Sequence, residues 1–146
     1  MPSFGTTSCS RLVTCDPQLV LLFEDVITSY NCSIEAGARS VEDELAAISS
    51  GHSKLTDPWK SKHVVGPQRP LALAIDAAPF PVVWPDAKTM PIARYAHAVG
   101  RFYHFASFVQ QRAIALDIKI RWGGDWDVDL DFFEQTFDDL DHFELA

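Results

Sequence analysis

Two histidines and one aspartate are the residues of this chain whose types could together do chemistry. They are His63 in the string Ser61-Lys62-His63, Asp76 in an apolar segment, and His142 near the end. Imidazole nitrogens and a carboxylate oxygen suit zinc, and a catalytic zinc keeps three protein ligands and leaves a fourth position for water. Asp139 stands three residues before His142, where a free carboxylate could act as general base on that water. The chain therefore contains the parts of a zinc hydrolase, far apart in the sequence.

Each of these residues also has an ordinary structural explanation. His63 lies in a polar loop, where a histidine is usually a solvated side chain. Asp76 lies in an apolar run, where a buried carboxylate needs a cation, hydrogen-bond donors or a metal, but it could instead cap the following turn. His142 stands among acidic residues that could form a solvated tail, although alternating apolar residues indicate that this segment can pack. In a strand over residues 142–145, His142 and Glu144 would face one side.

Composition excludes several classes of protein. The 146 residues suffice for one domain with a real core, and a hydrophobic content of 47% indicates a folded chain. A formal net charge of −8 disfavours a nucleic-acid-binding surface and docking on anionic lipid, so we expect neither partner. We find no signal-peptide pattern and no apolar run of about 18 residues. We therefore expect a single domain over residues 1–146.

The three cysteines do not suggest a metal site. Cys9, Cys15 and Cys32 are odd in number and lack CxxC spacing. Such cysteines are typical of reduced thiols in a cytosolic product. We therefore expect three free thiols and no cysteine-rich zinc site.

The spacing of apolar residues predicts an α+β domain. Helical periodicity predicts helices over residues 17–30, 41–49 and 91–116. Short apolar runs predict strands over residues 32–35, 71–78, 118–122 and 142–145. Residues 51–72 contain three prolines and predict a long loop, which in a compact domain is often functional. Helices packed on a small, mostly antiparallel sheet then give the α+β class.

The other polar residues form less specific patterns. His97 and His104 lie on the long predicted helix and could form a ligand pair, but a helix-surface or core role fits them better. His52 follows a predicted helix end and is typical of a turn. Aspartates alternate over Asp125–Asp131 and could hold Ca²⁺ through their oxygens. This segment lacks the glycine and the distal glutamate of an EF-hand loop, which favours a solvated acidic loop.

Arg39 lies at a predicted corner between a strand and a helix. A guanidinium binds carboxylates in a planar, bidentate way. Arg39 could therefore clamp a substrate carboxylate or stabilise the oxyanion of a tetrahedral intermediate. The alternative is a surface ion pair with Glu42 or Asp43.

Six strings, taken together, resemble the zinc peptidases of the D-alanyl-D-alanine carboxypeptidase and L-alanyl-D-glutamate endopeptidase group, and above all its small phage endolysins. In chain order they are SRLVTCDPQLVLLFEDVI, IEAGARS, GHSKLTDPWKSKH, LALAIDAAPFPVVW, RWGGDWD and FDDLDHFEL. Their order and joint presence are specific, and they cover nearly the whole chain. The resemblance implies a compact α+β domain, with a hedgehog/DD-peptidase-like fold, around a small antiparallel sheet.

The same resemblance implies a role for each candidate residue. It assigns zinc binding to His63, Asp76 and His142, the general base to Asp139, and substrate binding to Arg39 and Ser61. Asp139 also has the spacing to reach a zinc-bound water, whereas Asp138 and Asp141 should point elsewhere if the segment is extended or turning. Many members place the aspartate ligand nearer to the first histidine, whereas here the two are 13 residues apart. We therefore expect a longer loop before the aspartate.

The expected function is that of a zinc-dependent peptidoglycan peptidase, an endolysin that hydrolyses the L-alanyl-D-glutamate bond of the stem peptide. Three alternatives stay open. One is a D-alanyl-D-alanine dipeptidase or carboxypeptidase. Another is a non-catalytic zinc-containing binding module, against which Asp139 argues, and the third is an acidic structural domain without metal. We expect a single zinc peptidase domain without a separate cell-wall-binding module. We also expect a monomer in the host cytoplasm that reaches the cell wall after another protein permeabilises the membrane.

Overall fold

The computed structural model describes residues 1–146 and contains four α-helices, one short 3₁₀ turn and four strands. The elements in chain order are α1 (Thr6–Leu12), α2 (Pro17–Ile27), β1 (Cys32–Ala36), α3 (Val41–Ser49), the 3₁₀ turn (Pro58–Lys60), β2 (Ala74–Pro79), α4 (Ile92–Ala115), β3 (Ile120–Trp122) and β4 (His142–Leu145). They confirm the α+β class, and α1 is the α-helix that the apolar pattern does not predict. None of the helices combines the length and the apolar composition that crossing a bilayer requires.

The four strands form one antiparallel sheet in the order β1-β2-β4-β3. The central strand β2 carries Asp76, which is paired with Ala36 on β1 and with His142 on β4. The β1/β2 register shifts between Ile34 and Ala36, and such a bulge bends a strand and increases its twist. The sheet register therefore makes Asp76 and His142 direct neighbours.

The apolar face of the sheet packs against α2 and α4. Phe143 of β4 is fully buried, and its ring lies 5.7 Å from that of Phe23 on α2 and 5.9 Å from that of Phe105 on α4, edge to face in both pairs. Edge-to-face contact is a favoured geometry for aromatic rings. Because side chains alternate along a strand, His142 and Glu144 project to the opposite face, as predicted.

Local capping explains why two helices begin where the sequence predicts. The Asp16 carboxylate accepts the backbone N–H of Gln18 at 2.9 Å, and the Ser40 hydroxyl accepts that of Asp43 at 3.0 Å. These side chains satisfy N–H groups that have no partner within the helix. Helix α2 ends at Ile27, earlier than predicted. Helices α3 and α4 match their predicted ranges within one residue.

Two strands are shorter than their apolar runs predict, because residues at the ends of those runs form hydrogen bonds with backbone outside the sheet. Ala72 donates to the Thr14 carbonyl at 3.0 Å and accepts from the Asp16 N–H at 2.8 Å, so it pairs with the α1–α2 connection. Ile118 donates to a carbonyl of the last turn of α4, so β3 begins only at Ile120. Apolar residues outside the strands thus still contribute to the core.

The three cysteines are free thiols, as expected, but their surroundings differ. Cys9 is exposed. Burial raises the pKa of Cys15 to about 11 and that of Cys32 to about 12. Because the thiolate is the nucleophile, the two buried thiols should be unreactive near neutral pH.

We predict that a thiol reagent such as DTNB modifies only Cys9 rapidly in the folded chain at about pH 8, and all three cysteines after denaturation. The measurement is the absorbance of the released thiolate per chain. A Cys9→Ser chain, as the control, should show no rapid phase until it is denatured. Rapid modification of Cys15 or Cys32 in the folded control would contradict this prediction.

Candidate active site

Three possible metal-ligand atoms converge where β2 pairs with β4. Nε2 of His63 lies 3.1 Å from Oδ1 of Asp76 and 3.2 Å from Nδ1 of His142, and that Nδ1 lies 3.1 Å from the same carboxylate oxygen. Both histidines are buried. The structure thus brings together the three residues that the sequence analysis selected as zinc ligands.

Backbone hydrogen bonds fasten the loop that carries His63 to two neighbouring elements. Arg39 donates its N–H to the His63 carbonyl at 2.8 Å and accepts the Val65 N–H at 3.1 Å. The Leu73 N–H donates to the Lys62 carbonyl at 2.8 Å. The loop is therefore held by the β1–α3 corner on one side and by the start of β2 on the other.

The connection between His63 and Asp76 is long, as predicted, and it brings the side chain of Arg69 back to the loop that carries His63. Gly66 and Arg69 exchange backbone hydrogen bonds of 2.8 and 3.0 Å. The Arg69 guanidinium donates to the Val64 carbonyl at 2.8 Å and to the Ser61 carbonyl at 2.7 Å. His63 lies between these two carbonyls in the chain, so the additional residues support the position of this ligand.

A tight turn explains the separation of three residues between Asp139 and His142. The His142 N–H donates to the Asp139 carbonyl at 3.1 Å, while Gly123 accepts the Asp139 N–H at 2.8 Å and donates to the His142 carbonyl at 2.9 Å. A Cβ at position 123 would collide with the Asp139 carbonyl oxygen. Glycine at this position therefore permits the close approach that places Asp139 next to His142.

Protein acceptors determine which nitrogen of each imidazole carries its proton. Nδ1 of His63 lies 2.8 Å from the Gly37 carbonyl oxygen, which can only accept, so this nitrogen donates. Nε2 of His142 lies 3.1 Å from Oε2 of Glu144. Burial raises the pKa of Glu144, but hydrogen bonds from His142 and Arg121 lower it to about 2, so this carboxylate is ionised and accepts. When each histidine is neutral, as a metal ligand must be, its other nitrogen presents a lone pair to Asp76.

Three acceptor atoms in mutual contact need a cation between them. Burial lowers the pKa of His142, but hydrogen bonds to Asp76 and Glu144 raise it to about 9. A proton on Nδ1 of His142 would form one hydrogen bond, to Asp76, whereas a metal ion would bind all three atoms. The corners of a zinc tetrahedron with bonds of 2.0–2.2 Å lie about 3.3–3.6 Å apart. The observed separations of 3.1–3.2 Å are close to this value, so the donor set and its size fit zinc.

Two further carboxyl groups, those of Asp139 and Asp141, line the same cavity. Burial raises the pKa of Asp139, and the charge of Asp76 adds to this effect. Burial also raises the pKa of Asp141 to about 8, with further contributions from Asp76 and Asp139. Asp141 therefore keeps its proton near neutral pH and shares a hydrogen bond with Asp139. The prediction that Asp141 points away from the site is wrong, because the turn before β4 directs both side chains inward.

All six residues selected from the sequence line one cavity of about 470 Å³. They are Arg39, Ser61, His63, Asp76, Asp139 and His142. The Ser61 hydroxyl is buried and accepts the His63 N–H at 3.3 Å, so it supports the ligand loop. His52 also lines the cavity, in addition to its predicted place in a turn, where its Nδ1 lies 2.7 Å from the Ser50 hydroxyl.

Arg39 is paired with a buried carboxylate of α3. Its guanidinium lies 2.6 Å from Oε2 of Glu44, which is only 1% exposed and is the one buried residue of that helix. Hydrogen bonds from Ser53 and Arg39 outweigh the effect of burial and lower the pKa of Glu44. The alternative of a surface pair with Glu42 or Asp43 is therefore wrong.

A second set of charged residues surrounds Glu144, and sequence patterns identify it only in part. Oε1 of Glu144 accepts from Arg121 at 2.9 Å and lies 3.5 Å from the Lys62 ammonium. Alternation along β4 places Glu144 beside His142, a signal visible in the sequence. No local pattern indicates that Arg121 and Lys62 would converge on it, because both pairings are long-range.

The remaining candidates lie outside the ligand cluster. His97 and His104 are exposed on α4, and Nδ1 of His104 lies 3.0 Å from the Tyr30 hydroxyl. In the acidic loop, carboxylate oxygens of three aspartates lie within 4.8 Å of one another. Asp125 is buried there and accepts the N–H groups of Asp129 and Leu130. It is thus a turn-forming acceptor, unlike the solvated side chain that was expected.

Comparisons with known proteins identify the family of this chain. The family model for phage L-alanyl-D-glutamate peptidase matches residues 2–146. The L-alanyl-D-glutamate peptidase of Escherichia phage T5 is 30% identical over 152 residues, covering 98% of this chain and 97% of the phage protein. The fold is similar to that of the Serratia marcescens L-Ala D-Glu endopeptidase ChiX, with a TM-score of 0.69 at 21% identity over 99% of this chain and 91% of that one. This chain therefore belongs to the phage L-alanyl-D-glutamate peptidase family, which confirms the resemblance inferred from its six strings.

Proposed function

We propose that this chain is a zinc-dependent endopeptidase that hydrolyses the L-alanyl-D-glutamate bond of peptidoglycan stem peptides. The observation that carries the proposal is the convergence of His63, Asp76 and His142 beside Asp139 in one cavity. Family membership supports the choice of bond, since the phage T5 relative is named for it. As a phage-family peptidase the protein would act as an endolysin. It would reach the wall from the host cytoplasm after another protein permeabilises the membrane.

The ligand cluster supports the metal dependence. His63, Asp76 and His142 would hold one zinc ion, with Gly37 and Glu144 accepting the outer imidazole protons. When bound, zinc would polarise the scissile carbonyl and lower the pKa of a water in its open position.

Asp139 is the residue best placed to move protons during hydrolysis. Its carboxyl group lines the cavity one turn before His142. As the carboxylate, it would accept a proton from the attacking water and return that proton to the leaving amine nitrogen. The hydrogen bond from Asp141 would hold Asp139 in place. A catalytic base in the cavity disfavours the alternative of a non-catalytic zinc-containing module.

Arg39 is proposed to stabilise charge on the substrate. Its side chain lines the cavity while one guanidinium nitrogen is fixed by Glu44, which leaves its other N–H groups for the peptide. A fixed cationic donor stabilises an oxyanion without reorganising during the reaction.

Digestion of purified peptidoglycan followed by mass spectrometry tests the bond that is cut. Cleavage at the proposed bond should release fragments with new L-alanine C-termini and D-glutamate N-termini. Release of D-alanine or its dipeptide would instead identify the D-alanyl-D-alanine peptidase alternative. An Asp139→Asn chain, carried through the same digestion, controls for contaminating hydrolases.

The metal prediction concerns zinc content. The purified chain should bind about one zinc ion, and removal of zinc with a chelator should abolish cleavage until zinc is restored. His142→Ala should lose most of the metal, measured by elemental analysis, because a two-ligand site is weak. His97→Ala and His104→Ala, as matched controls, should keep it. Full activity of a metal-free chain would rule out the proposed zinc dependence.

The base prediction concerns catalysis without a change in metal content. Asp139→Asn should keep zinc and fold but lower kcat by roughly 10²–10⁴-fold, the usual contribution of a general base. Asp138→Asn is the matched control, because Asp138 does not line the cavity. If Asp141→Asn abolished activity while Asp139→Asn cleaved normally, the assignment of the base would be wrong.

The arginine prediction separates transition-state stabilisation from substrate binding. Arg39→Lys keeps the charge but not the planar fork, so kcat should fall about tenfold or more with little change in KM. Glu42→Gln, an exposed neighbour, should leave both constants unchanged. A higher KM at unchanged kcat would instead show that Arg39 clamps a substrate carboxylate.

A further inference from the structure

A second cavity adjoins the proposed active site and shares two aromatic residues with it. This cavity has a volume of about 420 Å³. Its lining residues are Trp126, Asp127, Glu134, Gln135, Thr136 and Phe137. Trp126 and Phe137 also line the active-site cavity, so a single extended ligand could occupy both.

The shared wall is a fixed pair of aromatic rings. The rings of Trp126 and Phe137 are stacked at 14°, with centroids 6.2 Å apart. The Trp126 indole N–H donates to the Phe137 carbonyl at 2.8 Å, and the Trp126 backbone N–H donates to Oε1 of Gln135 at 3.4 Å. Phe137 remains 40% exposed. An aromatic surface held in this way can pack against the apolar C–H groups of a sugar ring.

The two cavities differ in charge. The ionisable residues of the second cavity, Asp127 and Glu134, are both acidic. The active-site cavity is lined by five acidic residues as well, but also by five of the twelve lysines and arginines of the chain. These five are Arg39, Lys54, Lys60, Lys62 and Arg121. Asp127 and Glu134 share a hydrogen bond with each other. The second cavity therefore disfavours an anion, and the remaining carboxyl oxygens can accept hydrogen bonds from hydroxyl groups.

The proposed substrate has the same asymmetry about its scissile bond. Before that bond, L-alanine is amide-linked through a lactyl group to an N-acetylated amino sugar, and this linkage leaves the sugar without charge. After the bond, D-glutamate and the residues beyond it carry free carboxylates. A neutral, hydroxyl-rich group therefore lies on one side of the reacting carbonyl and an anionic peptide on the other.

We propose that the cavity behind Trp126 and Phe137 is a subsite for the N-acetylated amino sugar that carries the stem peptide. This inference rests on the proposed function. The Trp126 ring lies 5.4 Å from the ring of His142, with Phe137 beyond it. One alanine and a lactyl group span about 7–10 Å, a reach longer than the 5.4 Å between the Trp126 and His142 rings. Asp127 and Glu134 would accept sugar hydroxyls, and the cations of the active-site cavity would face the anionic peptide.

Two substrates with the same stem peptide test the subsite. In one, the N-terminus of the peptide carries only an acetyl group. In the other, it is linked to N-acetylmuramic acid. The muramyl substrate should show a kcat/KM about tenfold higher, as expected for one stacked ring and charge-assisted hydrogen bonds. Phe137→Ala and Glu134→Ala should each bring this ratio close to one. Phe133→Ala is the matched control, because Phe133 is a fully exposed phenylalanine of the same loop that lines neither cavity. It should keep the ratio.

The outcomes separate this inference from the proposed function. If the wild-type chain cleaves both substrates at the same rate, the sugar subsite is wrong and the peptidase remains. If Glu134→Ala accelerates both substrates equally, the acids act on the peptide and the subsite is again wrong. If neither substrate is cleaved at the L-alanyl-D-glutamate bond, the proposed function fails and the subsite fails with it.

Discussion

The pairing of β2 with β4 is the constraint on which the candidate site depends. In this antiparallel register Asp76 and His142 are direct neighbours. A slip by one residue would turn His142 into the core and expose Phe143. The edge-to-face contacts of Phe143 with Phe23 and Phe105 oppose that slip, because exposing a buried phenylalanine costs about 1.5–3 kcal/mol. Apolar packing on one face of the sheet therefore holds the polar groups on the other face in place.

Buried carboxylates then determine where the cations of the cavity stand. Glu144 accepts from His142 through one oxygen and from Arg121 through the other, while Glu44 fixes Arg39. A buried carboxylate that lost its partners would be strongly destabilising, so such pairs keep their geometry even where they add little net stability. The site thus consists of paired charges whose directions are set before a substrate arrives, which is the arrangement that electrostatic stabilisation of a transition state requires.

Much of the fold follows from local patterns in the sequence. The side-chain caps at Asp16 and Ser40, the helical periodicity of α4 and the alternation along β4 all act within a few residues, so they could be predicted. The predicted bounds of the elements are wrong where distant backbone competes for the same hydrogen bonds. Ala72 belongs to an apolar run but pairs with the α1–α2 connection, and α1 itself has little amphipathic pattern because it buries only Ser8 and Leu12.

For the site, the sequence by itself determined which residue types are available: two histidines and an aspartate, the carboxylate three residues before the last histidine, and the alternation that puts Glu144 beside His142. Only the tertiary structure decided how these groups are oriented and paired. Arg39 pairs with Glu44 and not with a nearer acid, Asp141 turns toward Asp139, and both imidazoles have their tautomers set by remote or neighbouring acceptors. The physical reason is the distance along the chain over which each effect acts. Residue type and periodicity act locally along the chain, whereas these pairings depend on the strand register and on the path of the loops, which exist only once the chain has packed.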